Sequence, residues 1–378
     1  MAEKNILIIC GEASGDLHAG NLAKALKELL PQVKIFGVGG QILAKYAKEI
    51  YCDIKELAVM GFFDVIKKLP KFFALKKLIL EKIKTENFSA VILVDFSGFN
   101  LRLAKEINNK LPVIYYVSPQ VWASRQRRVE TIKKYISKMI VLFEFEKDFY
   151  RQRGITAELV GHPLLDVVKP TMEKDEFFKK FGLAGAKTTV ALLPGSRGAE
   201  IKNILPVMLE SAELLDKEIE NIQFIVAKSL HVDAQIYAQI AKRHKTISLH
   251  IIEGLTYDCL NAADFSLVAS GTATLETAIM QKPFCVIYKM GLLNYLLYRP
   301  QVKLPFIGMV NIVANKKIIP EFIQFNASAE KISAQAAKII KNPSLSDAMK
   351  KDLASIKSRL GEKGAALRAA KIILENIK

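Results

Sequence analysis

The amino-acid sequence predicts an α/β protein of two Rossmann-like, doubly wound parallel-sheet domains with a cleft between them. Three observations carry this. Short apolar, β-branched runs alternate with longer amphipathic segments along nearly all 378 residues. Such non-alternating strands suit parallel sheets covered on both faces. The candidate strands number eleven, more than one open sheet holds comfortably, and they divide around residues 166–187. Pro163, Pro170, the Lys/Glu-rich Met172–Lys180 and the Gly182/Gly185 pair interrupt the pattern there.

In chain order, the candidate strands of the first domain are Asn5–Cys10, Lys34–Val38, Ala90–Val94, Pro112–Val117, Lys138–Leu142 and Ala157–Val160. Those of the second are Thr188–Leu193, Gln223–Ala227, Ser248–Ile252, Asp264–Val268 and Pro283–Ile287, with helical periodicity between almost every pair. We place the domains at 1–170 and 171–343. From about Ser344 to residue 378 the sequence reads as two helices able to return to the first domain. No fixed-period repeat or low-complexity tract interrupts this order.

Apolar residues make up 51%, enough for two cores and too many for a disordered chain. The formal charge of +17 favours an anionic partner: phosphate, nucleic acid or a membrane surface. Cys10, Cys52, Cys259 and Cys285 are far apart in sequence and show no metal-like spacing; Cys10 and Cys285 read as buried thiols. The apolar run Ile6–Ile9 is too short for a signal peptide, and no stretch of eighteen uncharged apolar residues occurs. These features place the chain in the cytoplasm and leave open a membrane surface as its working place.

In doubly wound sheets, ligands bind where strands end and helices begin. The first such loop is Gly11-Glu12-Ala13-Ser14-Gly15-Asp16. Its glycines allow tight turns before a helix N-terminus that offers N–H groups to an anion or hydroxyl. It is neither GxGxxG nor a P-loop, and the alternative reading is a turn capped by Asp16. The second loop carries Asp95 at the end of an apolar strand, a candidate proton acceptor or a plain helix cap. The third, Tyr116–Ala123, holds the only tryptophan, Trp122, as substrate wall or core.

In the second domain, Gly195 and Ser196 form a phosphate-tolerant turn and Arg197 supplies a forked cation for a diphosphate. Ser270-Gly271-Thr272-Ala273-Thr274 leaves helix amides accessible to phosphate, and Glu276 lies one turn in, placed for a sugar hydroxyl. The two loops together point to a phosphorylated nucleotide. No DxD occurs and the five histidines form no HxxxH, so no metal and no other cofactor is expected. His162, beside Gly161 and Pro163, is a candidate for the cleft; His231, His244 and His250 read as surface or core.

A different signal lies at Met60–Lys84, with seven lysines against Asp64 and Glu81. Phe62, Phe63, Phe72 and Phe73, interleaved with Lys67, Lys68, Lys71, Lys76 and Lys77, suit an anionic membrane interface. The alternative is surface helices with core phenylalanines. Arg125, Arg127, Arg128, Lys133 and Lys134 form a second basic group, fit for phosphates on a substrate or a headgroup.

GEASGD, MGFFDVIKKLP, DFSGFNLRLAK, YYVSPQVWASR, FEKDFY, VGHPLLD, LLPGSRGAEI, SGTATLE and VNIVANKKIIPEFIQ, in order along almost the whole chain, resemble the lipid-A-disaccharide synthase family. The resemblance implies a GT-B fold and an inverting glycosyltransferase. Such an enzyme joins UDP-2,3-diacylglucosamine to 2,3-diacylglucosamine 1-phosphate (lipid X), giving the β-1,6-linked disaccharide and UDP. It implies peripheral attachment at the cytoplasmic face of the inner membrane, and dimers occur in the family.

Carried over motif by motif, the resemblance implies Asp95 as base and Arg197 as the diphosphate's cation. It implies substrate contacts from Glu12, Ser14, Gly15, Asn100, Ser118, Gln120, Trp122 and His162. On the donor side it implies Gly195, Ser196, Ser270, Gly271, Thr272, Thr274 and Glu276, with Asn311 and Glu321 in no firm role. Two departures stand out. Gly98 replaces a second aspartate common in the family, and Ser124 replaces an aromatic. The runner-up readings are another GT-B enzyme such as a sugar-nucleotide epimerase, an inactive lipid-binding relative, and a basic nucleic-acid module. The last lacks a recognisable motif, so no nucleic-acid partner is expected.

Overall fold

The computed structural model describes residues 4–57, 62–230, 232–292, 295–296 and 304–377, the side chains of 62–68 excepted. His231 lies outside the described residues. Two all-parallel sheets organise the chain. The first contains β1 (Asn5–Ile9), β2 (Lys34–Gly39), β3 (Glu49–Asp53), β4 (Ala90–Val94), β5 (Val113–Tyr116), β6 (Lys138–Val141) and β7 (Ala157–Leu159). Their order is β3-β2-β1-β4-β5-β6-β7. The second contains β8 (Thr188–Leu193), β9 (Ile222–Lys228), β10 (Leu249–Glu253), β11 (Phe265–Ala269), β12 (Phe284–Tyr288) and β13 (Glu321–Ile323), ordered β10-β9-β8-β11-β12-β13.

The central strands are apolar at every position because helices cover both faces. All five residues of β4 and of β11 are buried. Pairing in register sets Ile9 against Leu93 across β1/β4, and Val268 against Leu193 across β11/β8. In each sheet the chain first winds outward to one edge and then returns to the other side of its first strand. The order therefore reverses between β1 and β4, and again between β8 and β11. At such a reversal the loops leaving the two strands diverge and open a crevice at their C-terminal ends.

All eleven expected strands are present, with no end shifted by more than one residue. Two further strands, β3 and β13, sit at sheet edges; they are half-buried or only three residues long, and so carry no apolar run. The chain forms two compact units, Met1–Asp166 with Leu360–Lys378, and Val167–Pro300 with Leu304–Arg359. The two C-terminal helices part company. Pro343–Arg359 stays with the second unit, where Met349, Leu353 and Ile356 are buried and Met349 Sδ accepts from Phe284 N at 3.4 Å. Ala365–Asn376 packs on the helix Ala13–Leu29 of the first unit. Arg368 fastens it, its Nε and Nη2 donating to Val160 O at 2.9 and 2.6 Å.

Candidate functional site

The first unit brings its candidate residues together at the β1/β4 reversal. Glu12 is the exposed N-cap residue of Ala13–Leu29, and its carbonyl accepts from Asp16 N at 2.8 Å. Ser14 is half-buried and Gly15 buried. Asp16 does not cap its own helix. Its buried carboxylate accepts from Gly40, Ile42 and Leu43 amides at 2.7, 3.0 and 3.2 Å, and so caps the following turn Gln41–Ala44. Gly11 is needed for closeness: a Cβ there would stand 2.3 Å from Phe96 Cγ.

Asp95 follows β4 with φ 47°, and Phe96 repeats that value. Two consecutive non-glycine residues in the left-handed region cost about 1–3 kcal/mol each, and persist only when their surroundings fix them. Here the fixing groups are visible. The Tyr115 hydroxyl donates to the Asp95 carbonyl, and Asn100 Nδ2 donates to Asp95 O at 2.9 Å and Val94 O at 3.4 Å. Both side chains are fully buried; Asn100 Nδ2 supports the loop from beneath, while its buried Oδ1 has no hydrogen-bond partner among the described residues. Asp95 itself is half-buried. Gly98 is exposed and a Cβ would meet open space, so packing does not enforce the missing second carboxylate.

The β5 loop joins this set from the neighbouring strand. Ser118 is buried, its Oγ 2.8 Å from Tyr150 Oη, while Gln120 is exposed. Trp122 is half-buried, edge-on to Phe145 at 4.9 Å, and donates from Nε1 to Glu146 Oε1 at 3.1 Å. Glu146, which the sequence reading missed, is 3% exposed and also accepts from the Leu142 and Phe143 amides. Its only sequence signal is its place three residues into a helix.

Burial pushes the Glu146 carboxyl up from 4.5 to about 7, against the pull of those donors. A raised folded-state pKa means that the folded protein binds this proton more tightly than the unfolded chain. The stability it contributes is full below about 4.5 and is lost as pH climbs towards 7. Wild type should therefore lose stability relative to Glu146→Gln across that window, with a constant difference on either side, as read from urea midpoints. A difference flat from pH 4 to 8 would remove this assignment.

His162 is not open to a ligand. It is 4% exposed, its Nδ1 accepts from Leu164 N at 3.2 Å, and Phe143 and His18 pack against its ring at 5.1 and 6.2 Å. Burial, with the nearby His18, lowers it to about 3, so it is a neutral packing residue at ordinary pH. Among the other histidines, His244 Nδ1 lies 2.9 Å from Glu213 and His250 is half-buried.

In the second unit the two candidate loops leave the adjacent strands β8 and β11. Gly195 takes φ +111°, where a Cβ would also strike Glu200 Oε2 at 2.5 Å. Glu200 accepts from Ser196 N at 3.1 Å and pairs with Arg197 Nη1 at 3.5 Å. Its carboxylate thus engages the amide and the guanidinium predicted for a diphosphate. Arg197 is about half exposed at the start of Gly198–Glu218.

Gly271 and Thr272 are exposed at the head of Thr272–Ile279. Thr274 is buried, its Oγ1 donating to Gly271 O at 2.8 Å, so it shapes the turn. Ser270 Oγ donates to Ile307 O at 3.2 Å. Glu276 is half-buried, raised by burial, and accepts from Tyr257 Oη at 3.1 Å.

Asn311 and Glu321 now have a role. Asn311 is fully buried, donating to Ile319 O at 2.9 Å and Glu321 Oε1 at 2.8 Å and accepting from the Ile318 and Ile319 amides. Glu321 also accepts from Ile307 N and Gly308 N at 3.0 and 2.9 Å. Together they hold the 307–308 segment beside the Ser270 loop. Among the described residues, no group of three or more His, Cys, Asp or Glu side chains is placed to hold a metal.

The lysine- and phenylalanine-rich segment forms one helix, Phe62–Thr85, with Pro70 inside it. The side chains of Phe62, Phe63, Lys67 and Lys68 lie outside the described residues. The two remaining phenylalanines divide. Phe72 packs inward, its ring 6.0 Å from Phe96 and 6.2 Å from Phe99, and this corrects its assignment to the interface. Phe73 is 59% exposed, beside exposed Lys71 and Lys77; Lys76 pairs with Glu106 at 2.8 Å. No helix among the described residues is long and apolar enough to cross a membrane.

Comparison with known proteins bears on the family and the fold. A protein-family profile described as lipid-A-disaccharide synthetase matches residues 6–376. The lipid-A-disaccharide synthase of Syntrophus aciditrophicus is 41% identical over 380 residues, covering 100% of this chain and 99% of that protein. That of Myxococcus xanthus is 37% identical, covering 98% and 97%. Among solved structures, the S. aureus MnaA–UDP complex superposes with TM-score 0.66 at 14% identity over 99% of this chain and 98% of that one. A Rickettsia africae glycosyltransferase gives 0.60 at 14% over 100% and 99%. These two likenesses concern the fold alone.

Proposed function

The chain belongs to the lipid-A-disaccharide synthetase family, with a GT-B fold, and on that premise we propose that it transfers a diacylglucosaminyl group from UDP to lipid X with inversion. One observation supports this most. In both units, the loops singled out by their chemistry leave the strand pair where the sheet order reverses. The first unit supplies the acceptor side. Asp95 takes the proton from the acceptor 6-hydroxyl as that oxygen attacks the anomeric carbon, and the carbon–oxygen bond to UDP breaks on the opposite face. The second unit takes the donor. Arg197, the Ser196 amide and the amides heading Thr272–Ile279 stabilise the departing diphosphate, and Glu276 accepts from the ribose. Glu200 must yield the Ser196 amide and Arg197 as the diphosphate arrives.

The reaction needs no metal on this reading, because the guanidinium and helix amides supply the positive field. Mass spectrometry of products from UDP-2,3-diacylglucosamine and lipid X, with and without chelator, tests it. A disaccharide 1-phosphate formed undiminished in chelator is the expected result. No product, or UDP release independent of lipid X, would replace the reading with an inactive relative or an epimerase.

Diacylated sugars reside in a bilayer, so we also propose peripheral attachment through the outward face of Phe62–Thr85. Each lysine near an anionic surface contributes about 1 kcal/mol, and a buried aromatic adds a term that salt does not screen. Phe73→Ser should weaken co-sedimentation with anionic liposomes severalfold while thermal stability holds. Phe72→Ser should instead lower thermal stability, since its ring packs against the core cluster. Equal liposome binding by wild type and Phe73→Ser would move the interface elsewhere.

A further inference from the structure

Beside the candidate base lies a group of cations that the transfer step does not use. Arg128 opens the helix Arg128–Tyr135 and is half-buried; its Nη1 donates to Ser97 Oγ at 3.1 Å. Ser97 is two residues beyond Asp95, at the start of Ser97–Ile107. A neutral hydroxyl takes one of the five guanidinium N–H donors and does nothing for the charge. Arg125, three residues earlier and held at φ 55°, and Arg102, on Ser97–Ile107, act on Arg128 with their own positive charge. Among the described residues, no carboxylate forms an ion pair with Arg102, Arg125 or Arg128. Ion pairs elsewhere join a minority of the described lysines and arginines, as Lys138 with Glu158 at 3.1 Å and Arg151 with Asp148 at 2.8 Å; what sets this group apart is that Arg128 is half-buried. Three unneutralised guanidinium groups with one partly withdrawn from water are costly unless an anion joins them. Planar, bidentate donors of this kind match a phosphate monoester.

We propose that Arg128, with Arg125 and Arg102, forms the subsite for the phosphate monoester of the acceptor sugar. The inference rests on the transfer reaction proposed above and deepens it. The acceptor carries its phosphate at C1 and its reacting hydroxyl on C6, the substituents of the two ring carbons that flank the ring oxygen. With the phosphate on Arg128, the ring spans from Ser97 towards Asp95 and delivers the 6-hydroxyl to the base. The same contact selects the phosphorylated acceptor over its dephosphorylated form, and it keeps the sugar from binding with its ends exchanged.

The test compares two acceptors, 2,3-diacylglucosamine 1-phosphate and the same sugar lacking the phosphate, dispersed in neutral detergent. Wild type should prefer the first by tenfold or more in kcat/KM. In Arg128→Gln that preference should fall about tenfold, mostly through KM, and exposed Arg125→Gln should lower it by a smaller factor without any packing change. UDP affinity, measured by calorimetry, reports that each variant is folded. A preference unchanged in both variants, or a wild-type enzyme that uses both acceptors equally, overturns the subsite. So does loss of binding to phosphatidylglycerol vesicles with the preference intact, which would assign these arginines to a lipid headgroup. Transfer to neither acceptor by wild type overturns the functional reading itself, and the subsite with it.

Discussion

Replacing Asp95 with asparagine is expected to slow disaccharide formation by about 10²–10⁴-fold, the usual contribution of a positioned base. That range corresponds to roughly 3–5 kcal/mol of barrier. The substitution is close to isosteric, and the groups that fix the loop grip the backbone. Tyr115 and Asn100 both donate to the Asp95 carbonyl, not to its carboxylate. Asparagine should therefore keep the unusual backbone at 95 and 96 and lose only proton acceptance. UDP affinity should match wild type, because the nucleotide is assigned to loops of the other unit. UDP release in the presence of lipid X gives the rate, and calorimetry with UDP gives the binding. Near-wild-type turnover would remove Asp95 from the base role, whereas a parallel loss of UDP affinity would point to misfolding.

The sheets were legible in the sequence because parallel strands buried on both faces must be apolar throughout. Runs such as Ala90–Val94 and Phe265–Ala269 therefore stand out against amphipathic helices. Edge strands face no such demand, and Glu49–Asp53, with a charge at each end, could not be told from a loop. The strand-end loops were legible for a similar reason, since the crevice at a reversal follows from topology. What the spacing left open was which polar residues face outward. Asn100, His162 and Asn311 carry ligand-like chemistry, yet each is buried and hydrogen-bonded to the protein itself. Residue type states what a side chain can bond, and only three-dimensional contact states which partner it has. Phe72 and Phe73 make the same point, because adjacent helical residues look in different directions and composition weighs them alike.

Gly11→Ala should produce a large effect for a single added methyl group. The sequence suggests glycine there for a tight turn, but Gly11 is absent from the positions with left-handed φ. Its requirement is a contact: an added Cβ would lie 2.3, 2.4 and 2.5 Å from three carbons of the Phe96 ring. The ring cannot simply retreat, since Phe99 stacks on it at 5.4 Å and Phe72 stands 6.0 Å away against the core. Overpacking of this sort costs about 1–3 kcal/mol, so a lower unfolding midpoint is expected. The larger consequence is positional. Phe96 is the neighbour of Asp95 in the chain and shares its left-handed backbone, so moving the ring moves the carboxylate. A misplacement near 1 Å can lower the rate by about 10²-fold, and that loss in kcat is expected with UDP affinity intact. Shortening the obstructing side chain supplies the control. Gly11→Ala combined with Phe96→Ala should recover much of the stability, and a double-mutant cycle should show coupling between the two positions. Additive losses with no coupling would mean that the alanine methyl acts on bound substrate directly, and that Gly11 does not position the base through Phe96.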